Sequence, residues 1–284
     1  MPEIAVISGT LVVGGAEHVL AEYVAASARK KDFAILHSDV AEVAEFYGRL
    51  GLLHSSCDFL NPQGADKKGG LFAILRKLAS LLKAFAVLPG KFKSLGCDTV
   101  LGNNTGDAAY AACAAAAGRR FFLRVHDVLE GPSLSLLALK LSDRFIERYI
   151  AVSGAVKNAL AAAGISREKI QVVYNGLGGR PAPARKKITG NIVIGFAGNL
   201  ERNKDPLGFV GFVRACSERG IRCCGIMACP NITDRRLYEK VRDELKKSGS
   251  MIKYRGRIKR EKMASFYRSI DFLMLPSFRE ALPT

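Results

Sequence analysis

Three short segments of the sequence carry residue types suited to binding a charged or hydroxylated ligand. The first is Gly-Gly-Ala-Glu at Gly14–Glu17, where an apolar segment gives way to an amphipathic one. Glycines let a backbone approach a ligand closely, and the first amides of a helix attract anions. The same residues also suit an ordinary tight turn with an acidic residue at the start of a helix. They do not match the GxGxxG dinucleotide pattern.

The second segment, GFAGNLERNKDP, places Arg202 and Lys204 directly after an apolar stretch, with Pro206 at the expected start of a helix. Two cations beyond the end of a strand suit a pyrophosphate, to which lysine binds as a point charge. A solvated loop is the alternative, because most charged residues merely face water.

The third segment, DFLMLPSFREALPT, places Ser277, Arg279 and Glu280 directly after an apolar stretch. A carboxylate at that position can accept hydrogen bonds from sugar hydroxyl groups. A surface glutamate without a function is the alternative.

The elements that would position these segments alternate between short apolar stretches and amphipathic ones. EIAVISG, DFAILHS, CDTVLGNN, RFFLRVHD and RYIAVS are typical of strands, and helical periodicity lies between them. Such alternation predicts an α/β fold, with parallel sheets covered by helices on both faces. Ligands of these folds bind at the carboxyl ends of the strands, here across a cleft between two domains.

A composition change near the middle of the chain indicates a linker between two domains. The stretch GLGGRPAPARKKITG is rich in glycine and proline and has no apolar periodicity. The strand–helix alternation then restarts. We therefore predict an N-terminal domain over 1–178, a linker over 179–190 and a C-terminal domain over 191–284. The apolar stretch that precedes Pro276 is not followed by a helix, so the second domain is expected to be incomplete.

The charge of the chain is concentrated in its second part. The net charge is +17, and residues 179–284 carry 23 Lys and Arg against 10 Asp and Glu. Such an excess predicts an anionic partner. The sequence contains no apolar run long enough to span a membrane. Its seven cysteines lack CxxC spacing, which favours reduced thiols and a cytoplasmic location.

Read in order, the motifs resemble glycosyltransferase family 4. They are GGAE, the RVHD segment with His126, the phrase from Ala151 to Gly176, YRGRI at 254–258 and PSFRE at 276–280. The resemblance spans nearly the whole chain. It implies the GT-B fold, in which two Rossmann-like, doubly wound parallel-sheet domains face each other. It also implies a retaining, metal-independent transfer of a sugar from a nucleotide-diphosphate sugar, without a further cofactor.

The resemblance also implies the site residues. His126 and Glu280 match positions at the reacting centre. The positions expected to bind the donor are Gly14, Gly15, Asn199, Arg202, Lys204, Arg257, Ile258, Ser277 and Glu280. The acceptor would be a glycan or a lipid-linked molecule of the cell envelope, as in polysaccharide or lipopolysaccharide synthesis.

Three departures from the family pattern weaken this expectation. The family's arginine, five positions before Lys204, is Asn199, so Arg202 is a candidate to replace it. Met227–Pro230 stands where the family has Gly-x-Gly-Pro. The second glutamate of the E-x7-E motif would fall at position 288, so we expect this 284-residue chain to be inactive as a transferase. A non-catalytic fragment and, less favoured, a nucleotide-sugar epimerase of the same fold stay open as alternatives.

The segment LFAILRKLASLLKAF allows two interpretations. Its apolar positions 71, 75, 78, 82 and 85 recur at helical spacing, with Lys77 and Lys83 elsewhere on the helix. The helix could lie on an anionic membrane, or it could cover the sheet. The strand after it favours the sheet-covering interpretation, since a parallel sheet needs a crossover helix. Nucleic-acid binding is not expected, because no basic motif interleaved with aromatic residues occurs.

Overall fold

The computed structural model describes residues 1–27, 29–60, 71–129, 134–176, 190–232 and 234–282. The chain divides into two compact units, Met1–Arg180 with Ala281–Thr284, and Pro181–Glu280. Each unit has the predicted α/β class with a parallel sheet. Apart from Gly190, the predicted linker at 179–190 lies outside the described residues, so its bounds stay a prediction.

Unit 1 is built on a sheet of parallel strands. They are β1 (Ile4–Ser8), β2 (Phe33–Ser38), β3 (Leu53–Cys57), β4 (Thr99–Gly102), β5 (Arg120–Val125), β6 (Arg148–Ala151) and β7 (Ile170–Val172). Their order across the sheet is β3-β2-β1-β4-β5-β6-β7. The order reverses direction between β1 and β4, which is the place where doubly wound sheets bind ligands.

Alternate residues of the central strands supply two separate cores. Val6 and Ile35 belong to the apolar cluster on one face, whereas Ala5, Ile7 and Leu36 belong to the cluster on the other. Successive side chains of a strand point to opposite faces, so both faces need a cover. The described helices of unit 1 are α1 (Gly15–Ala26), α2 (Ala41–Arg49), α3 (Leu71–Leu95), α4 (Ala111–Ala116), α5 (Leu134–Ser142) and α6 (Gly154–Ala162).

Helix α3 packs on the sheet core, as the favoured sequence interpretation expected, but through other residues than the apolar positions named there. It precedes β4, and its described side chains that are buried are Ala84, Leu88 and Phe92, in its C-terminal half. Four of the five apolar positions named from the sequence are exposed: Leu75 and Leu78 at 53%, Leu82 at 66% and Phe85 at 51%. The side chain at position 71 lies outside the described ones. A helical period identifies a face, but not which face meets the sheet. No helix among the described residues is long and apolar enough to cross a membrane.

Unit 2 has a smaller parallel sheet of the same kind. Its strands are β8 (Ile192–Ala197), β9 (Cys223–Ala228), β10 (Ile252–Gly256) and β11 (Phe272–Leu273), in the order β10-β9-β8-β11. Its described helices are α7 (Pro206–Glu218), α8 (Arg235–Lys247) and α9 (Arg260–Arg268). Asp205 and Asp234 cap α7 and α8, each accepting a backbone N–H at 3.0 Å. Such caps stabilise a helix by about 1 kcal/mol.

We expect Gly195→Ala to destabilise unit 2 by ~1–3 kcal/mol, because overpacking forces neighbouring side chains to move. A Cβ at Gly195 in β8 would lie 2.5 Å from Ile270 Cδ1 and 3.2 Å from Phe266 Cζ. Urea unfolding, with amide exchange of β8 to assign the transition, measures the change. Gly211→Ala in α7 is the matched control: nothing lies within 4 Å of its Cβ. It should leave stability unchanged or raise it by up to ~1 kcal/mol. Equal effects of both substitutions would contradict the packing argument.

Candidate active site

The loop after β1 leads into α1 through the Gly14–Gly15 pair. Gly14 is the N-terminal cap of α1, and Gly15 is its exposed first residue. Glu17, in the same turn, is buried. Its carboxylate accepts the Gly14 N–H at 2.9 Å and the Asn104 side-chain amide at 3.2 Å. The carboxylate therefore fixes the conformation in which the first amides of α1 are presented.

A second buried carboxylate, Asp107, lies beside this loop, and the sequence did not identify it. It accepts the backbone N–H groups of Gly9 and Asn103 at 3.1 Å and of Asn104 at 2.9 Å. Burial raises the pKa of Asp107 to about 7, against the lowering effect of the three donors, and the charge of Glu17 adds to the increase. The one signal in the sequence was local: Asn104 and Asp107 have the spacing of a helix start.

His126 follows β5 at the same edge of the sheet. Burial lowers the pKa of His126 to about 3, and the positive charge of Arg124 contributes. The imidazole is therefore neutral at physiological pH. Its Nε2 atom is buried and has no hydrogen-bond partner among the described residues. Asn103, at the end of the neighbouring strand β4, is fully buried, and its side-chain amide also has no partner within the described part of the chain. The edge thus holds buried, neutral polar groups whose hydrogen-bonding capacity the described residues leave unused.

In unit 2, the structure brings Lys204 and Glu280 together. Their Nζ and Oε1 atoms lie 2.5 Å apart, and a quarter of each side chain is exposed. Lys204 follows β8 and Glu280 follows β11, and these two strands are neighbours. Two further hydrogen bonds of 2.9 Å join the segments: the Phe278 N–H to the Asn203 carbonyl, and the Asn203 side-chain amide to the Arg279 carbonyl. The ion pair is thus held by its backbone surroundings.

Arg202 and Asn199 contact residues other than the Lys204–Glu280 pair. Arg202 is 86% exposed and pairs with Asp234 at 3.5 Å, beside the start of α8. It borders a cavity of about 440 Å³ that also contacts Arg236, Lys240 and Phe278. Asn199 accepts a hydrogen bond from the Asn231 side chain at 3.3 Å. That Arg202 replaces the family's arginine stays a prediction.

The other predicted donor-binding residues lie at the same edge of the unit 2 sheet. Arg257 is exposed and Ile258 half-buried, directly after β10. Ser277 is half-buried in the segment after β11. Within the part of the chain that the structure describes, no three His, Cys, Asp or Glu side chains lie close enough together to hold a metal ion.

Two parallel-sheet units with polar groups at the carboxyl edges of their strands have the GT-B architecture, and solved GT-B proteins align with nearly the whole chain. The sequence model of Glycosyltransferase Family 4 matches residues 13–177 of the 284, and the chain belongs to this family. The resemblance stated from the motifs is thereby confirmed.

Solved structures of similar fold share little sequence with the chain. Anabaena Alr3699/HepE, in complex with UDP and glucose, has a TM-score of 0.74 at 16% identity, covering 98% of this chain and 74% of that one. The lipopolysaccharide outer core galactosyltransferase WaaB has a TM-score of 0.66 at 15% identity, covering 100% and 76%. S. aureus MnaA, solved with UDP, has a TM-score of 0.59 at 14% identity, covering 96% and 73%. A search of curated protein sequences gave no significant match.

The low pKa of His126 predicts that unit 1 loses stability in acid. Because the folded pKa lies below the unfolded value, the unfolded chain binds a proton that the folded chain does not as pH falls through about 6.5. This group alone should lower the free energy of unfolding by about 2 kcal/mol between pH 7.5 and pH 5. Urea unfolding of wild type and His126→Gln at both pH values measures it. The variant should show the smaller decrease; an unchanged decrease would mean that His126 is protonated in the folded protein.

Proposed function

We propose that this protein is a retaining, metal-independent glycosyltransferase. It transfers a sugar from a nucleotide-diphosphate sugar to a glycan or lipid-linked acceptor in polysaccharide or lipopolysaccharide synthesis. The observation that carries the proposal is the Lys204–Glu280 pair, which joins a cation and a carboxylate at the ends of two neighbouring strands. Family membership supports the reaction class, and the UDP and glucose bound to HepE support the donor class.

Lys204 supplies positive charge to the leaving diphosphate. A lysine has three N–H donors, so its ammonium group can bind a phosphate oxygen while it keeps a contact with Glu280. A cation held in place before the reaction stabilises the charge that develops on the leaving group. Glu280 accepts hydrogen bonds from the donor sugar. The acceptor attacks the face from which the diphosphate leaves, and we assign no nucleophile to the protein.

Unit 1 contributes hydrogen bonds rather than charge. The neutral imidazole of His126 binds a hydroxyl group near the reacting centre, and the amides at the start of α1 lie beside the diphosphate and the acceptor. In unit 2, the residues after β10, Arg257 and Ile258, border the nucleotide base, and Ser277 borders the donor sugar. Asn199 and Arg202 lie on the diphosphate side. The acidic groups close to α1 are consistent with a neutral, hydroxylated acceptor.

Substitutions at the ion pair test the donor site. Lys204→Ala should weaken UDP binding at least ~10-fold in calorimetry, because a charged hydrogen bond contributes about 1.5–3 kcal/mol. Glu280→Gln should bind UDP at least as tightly as wild type, since it frees the ammonium group. In a longer version of the chain that carries the second glutamate of the E-x7-E motif, it should lose turnover of UDP-glucose. Lys253 is an exposed residue of β10, and Lys253→Ala is the control. It should change neither UDP binding nor turnover.

The product separates this proposal from its alternatives. Retention of the donor's anomeric configuration, read by NMR and unchanged by EDTA, is the expected result. Epimerised nucleotide sugar formed without an acceptor would favour the epimerase alternative. Wild-type affinity for UDP in Lys204→Ala would remove Lys204 from the site.

We further propose that the protein works in the cytoplasm, on the inner face of the cell membrane, with α3 as its contact. Over its 25 residues α3 carries five Lys and Arg and no Asp or Glu. Leu75, Leu78, Leu82 and Phe85 are exposed along one line of the helix. Exposed apolar side chains together with basic ones are what an interfacial helix offers to anionic lipid.

Vesicle flotation tests this contact. Leu78→Glu combined with Leu82→Glu should reduce binding to vesicles containing anionic lipid at least ~10-fold, since each buried leucine contributes ~1.5–3 kcal/mol. Binding should also weaken with added salt. The same change at Leu137 and Leu141 of α5, which are 54% and 67% exposed, is the matched control. Equal loss in both variants, or no binding by the wild type, would contradict a contact through α3.

A further inference from the structure

The loop between β1 and α1, residues 9–14, is held at both ends by a buried carboxylate. Asp107 accepts the N–H of Gly9, where the loop begins, and Glu17 accepts the N–H of Gly14, where it ends. Asn104 joins the two acids: its backbone N–H donates to Asp107 and its side-chain amide to Glu17. The result is one continuous set of hydrogen bonds from the end of β4 to the start of α1.

Helix capping accounts for only part of this arrangement. Two of the bonds are local: the Gly14 N–H donates to Glu17, and the Asn104 N–H donates to Asp107. In each, the third residue of a helix accepts from the residue just before that helix. Each carboxylate also makes a bond across the sheet edge. Asp107 reaches Gly9, 98 residues away in the chain, and Glu17 reaches Asn104, 87 residues away. Caps alone would not need these long-range bonds.

Burying the carboxylates of Glu17 and Asp107 costs free energy. Glu17 is 3% exposed and Asp107 is 2% exposed, and the described residues give neither acid an ion-pair partner. A buried carboxylate without a cation depends entirely on its hydrogen-bond donors. Five N–H bonds to two acids, all at the loop or at the end of β4, supply those donors.

We propose that Asp107 and Glu17 are positioning residues, which set the place of Gly14 and Gly15 in the site through the loop at 9–14. The inference rests on the proposed function, in which the amides at the start of α1 face the substrates. Neither acid touches a substrate. They determine where the loop lies relative to the end of β4, and a small displacement of such a loop weakens catalysis.

The two carboxylates accept from different kinds of donor, so replacing each by its amide should affect the loop to different extents. In Glu17→Gln the new amide group faces the Asn104 amide, which can rotate by half a turn and offer its oxygen instead. Both bonds survive, so the effect is small. In Asp107→Asn the new amide group faces backbone N–H groups, which cannot reverse. A donor then opposes a donor, and at least one bond is lost.

Amide exchange read by mass spectrometry or NMR tests the proposal without substrate. Gly9 donates to Oδ1 of Asp107 and Asn104 donates to Oδ2, so Asp107→Asn should accelerate exchange at Gly9 or at Asn104 at least ~10-fold, according to which oxygen the amide group replaces. Glu17→Leu should do so at Gly14. Glu17→Gln should exchange at Gly14 within ~3-fold of wild type. Asp98→Asn, an exposed surface acid of the same unit, is the control. Unchanged exchange in Asp107→Asn, or equal acceleration in Glu17→Gln and Glu17→Leu, would overturn the inference.

Turnover of UDP-glucose provides the second readout. It is measured in a longer version of the chain that carries the second glutamate of the E-x7-E motif, at a temperature where thermal melts show each variant fully folded. Asp107→Asn and Glu17→Leu should lose at least ~10-fold in kcat/KM, and Glu17→Gln should restore most of it. Faster loop exchange with wild-type kcat/KM would overturn the positioning role. If Asp107→Asn does not fold, the comparison of Glu17→Leu with Glu17→Gln decides. A wild type that binds no UDP contradicts the proposed function, whereas the exchange experiment still decides whether the carboxylates hold the loop.

Discussion

Parallel pairing of strands places every carboxyl end of a sheet at the same edge, where the last backbone groups of each strand lack a ladder partner. Buried N–H and carbonyl groups need hydrogen bonds, so side chains or ligands have to supply what the ladder does not. In unit 1 the edge is completed by the carboxylates of Glu17 and Asp107. In unit 2 it is completed by side chains of the loops after β8 and β11.

The two units meet this requirement with opposite electrostatics. Unit 1 buries two acids under N–H groups and keeps His126 neutral. Unit 2 leaves Lys204 a quarter exposed, and the sequence from residue 179 to 284 has an excess of basic residues. An edge with neutral and acidic groups suits hydroxyl groups, and a basic edge suits phosphates. The difference in charge along the chain thus corresponds to a difference in chemistry between the two sheets.

The sequence could predict groups whose role follows from local order, and it could not predict those that depend on distant partners. Lys204 and Glu280 each come directly after an apolar strand, so their shared edge followed from the fold class. Asp107 was missed because its long-range partner, Gly9, is 98 residues away. The residues with which α3 contacts the core were missed because Leu88 and Phe92 lie beyond the segment LFAILRKLASLLKAF, and Ala84 within it gives a weaker apolar signal than the exposed Leu78 and Leu82. Small residues mark a close contact only once the neighbouring element is known.

The exposed apolar line of α3 also governs the colloidal behaviour of the protein in water. Contiguous apolar surface favours association between copies, and a net charge of +17 opposes it at long range. Salt acts on these two tendencies in opposite senses, because it screens the repulsion between copies and leaves the apolar attraction in place. The ionic strength that would weaken the proposed contact with anionic lipid therefore favours contact between protein molecules. We therefore expect low ionic strength to keep the protein dispersed.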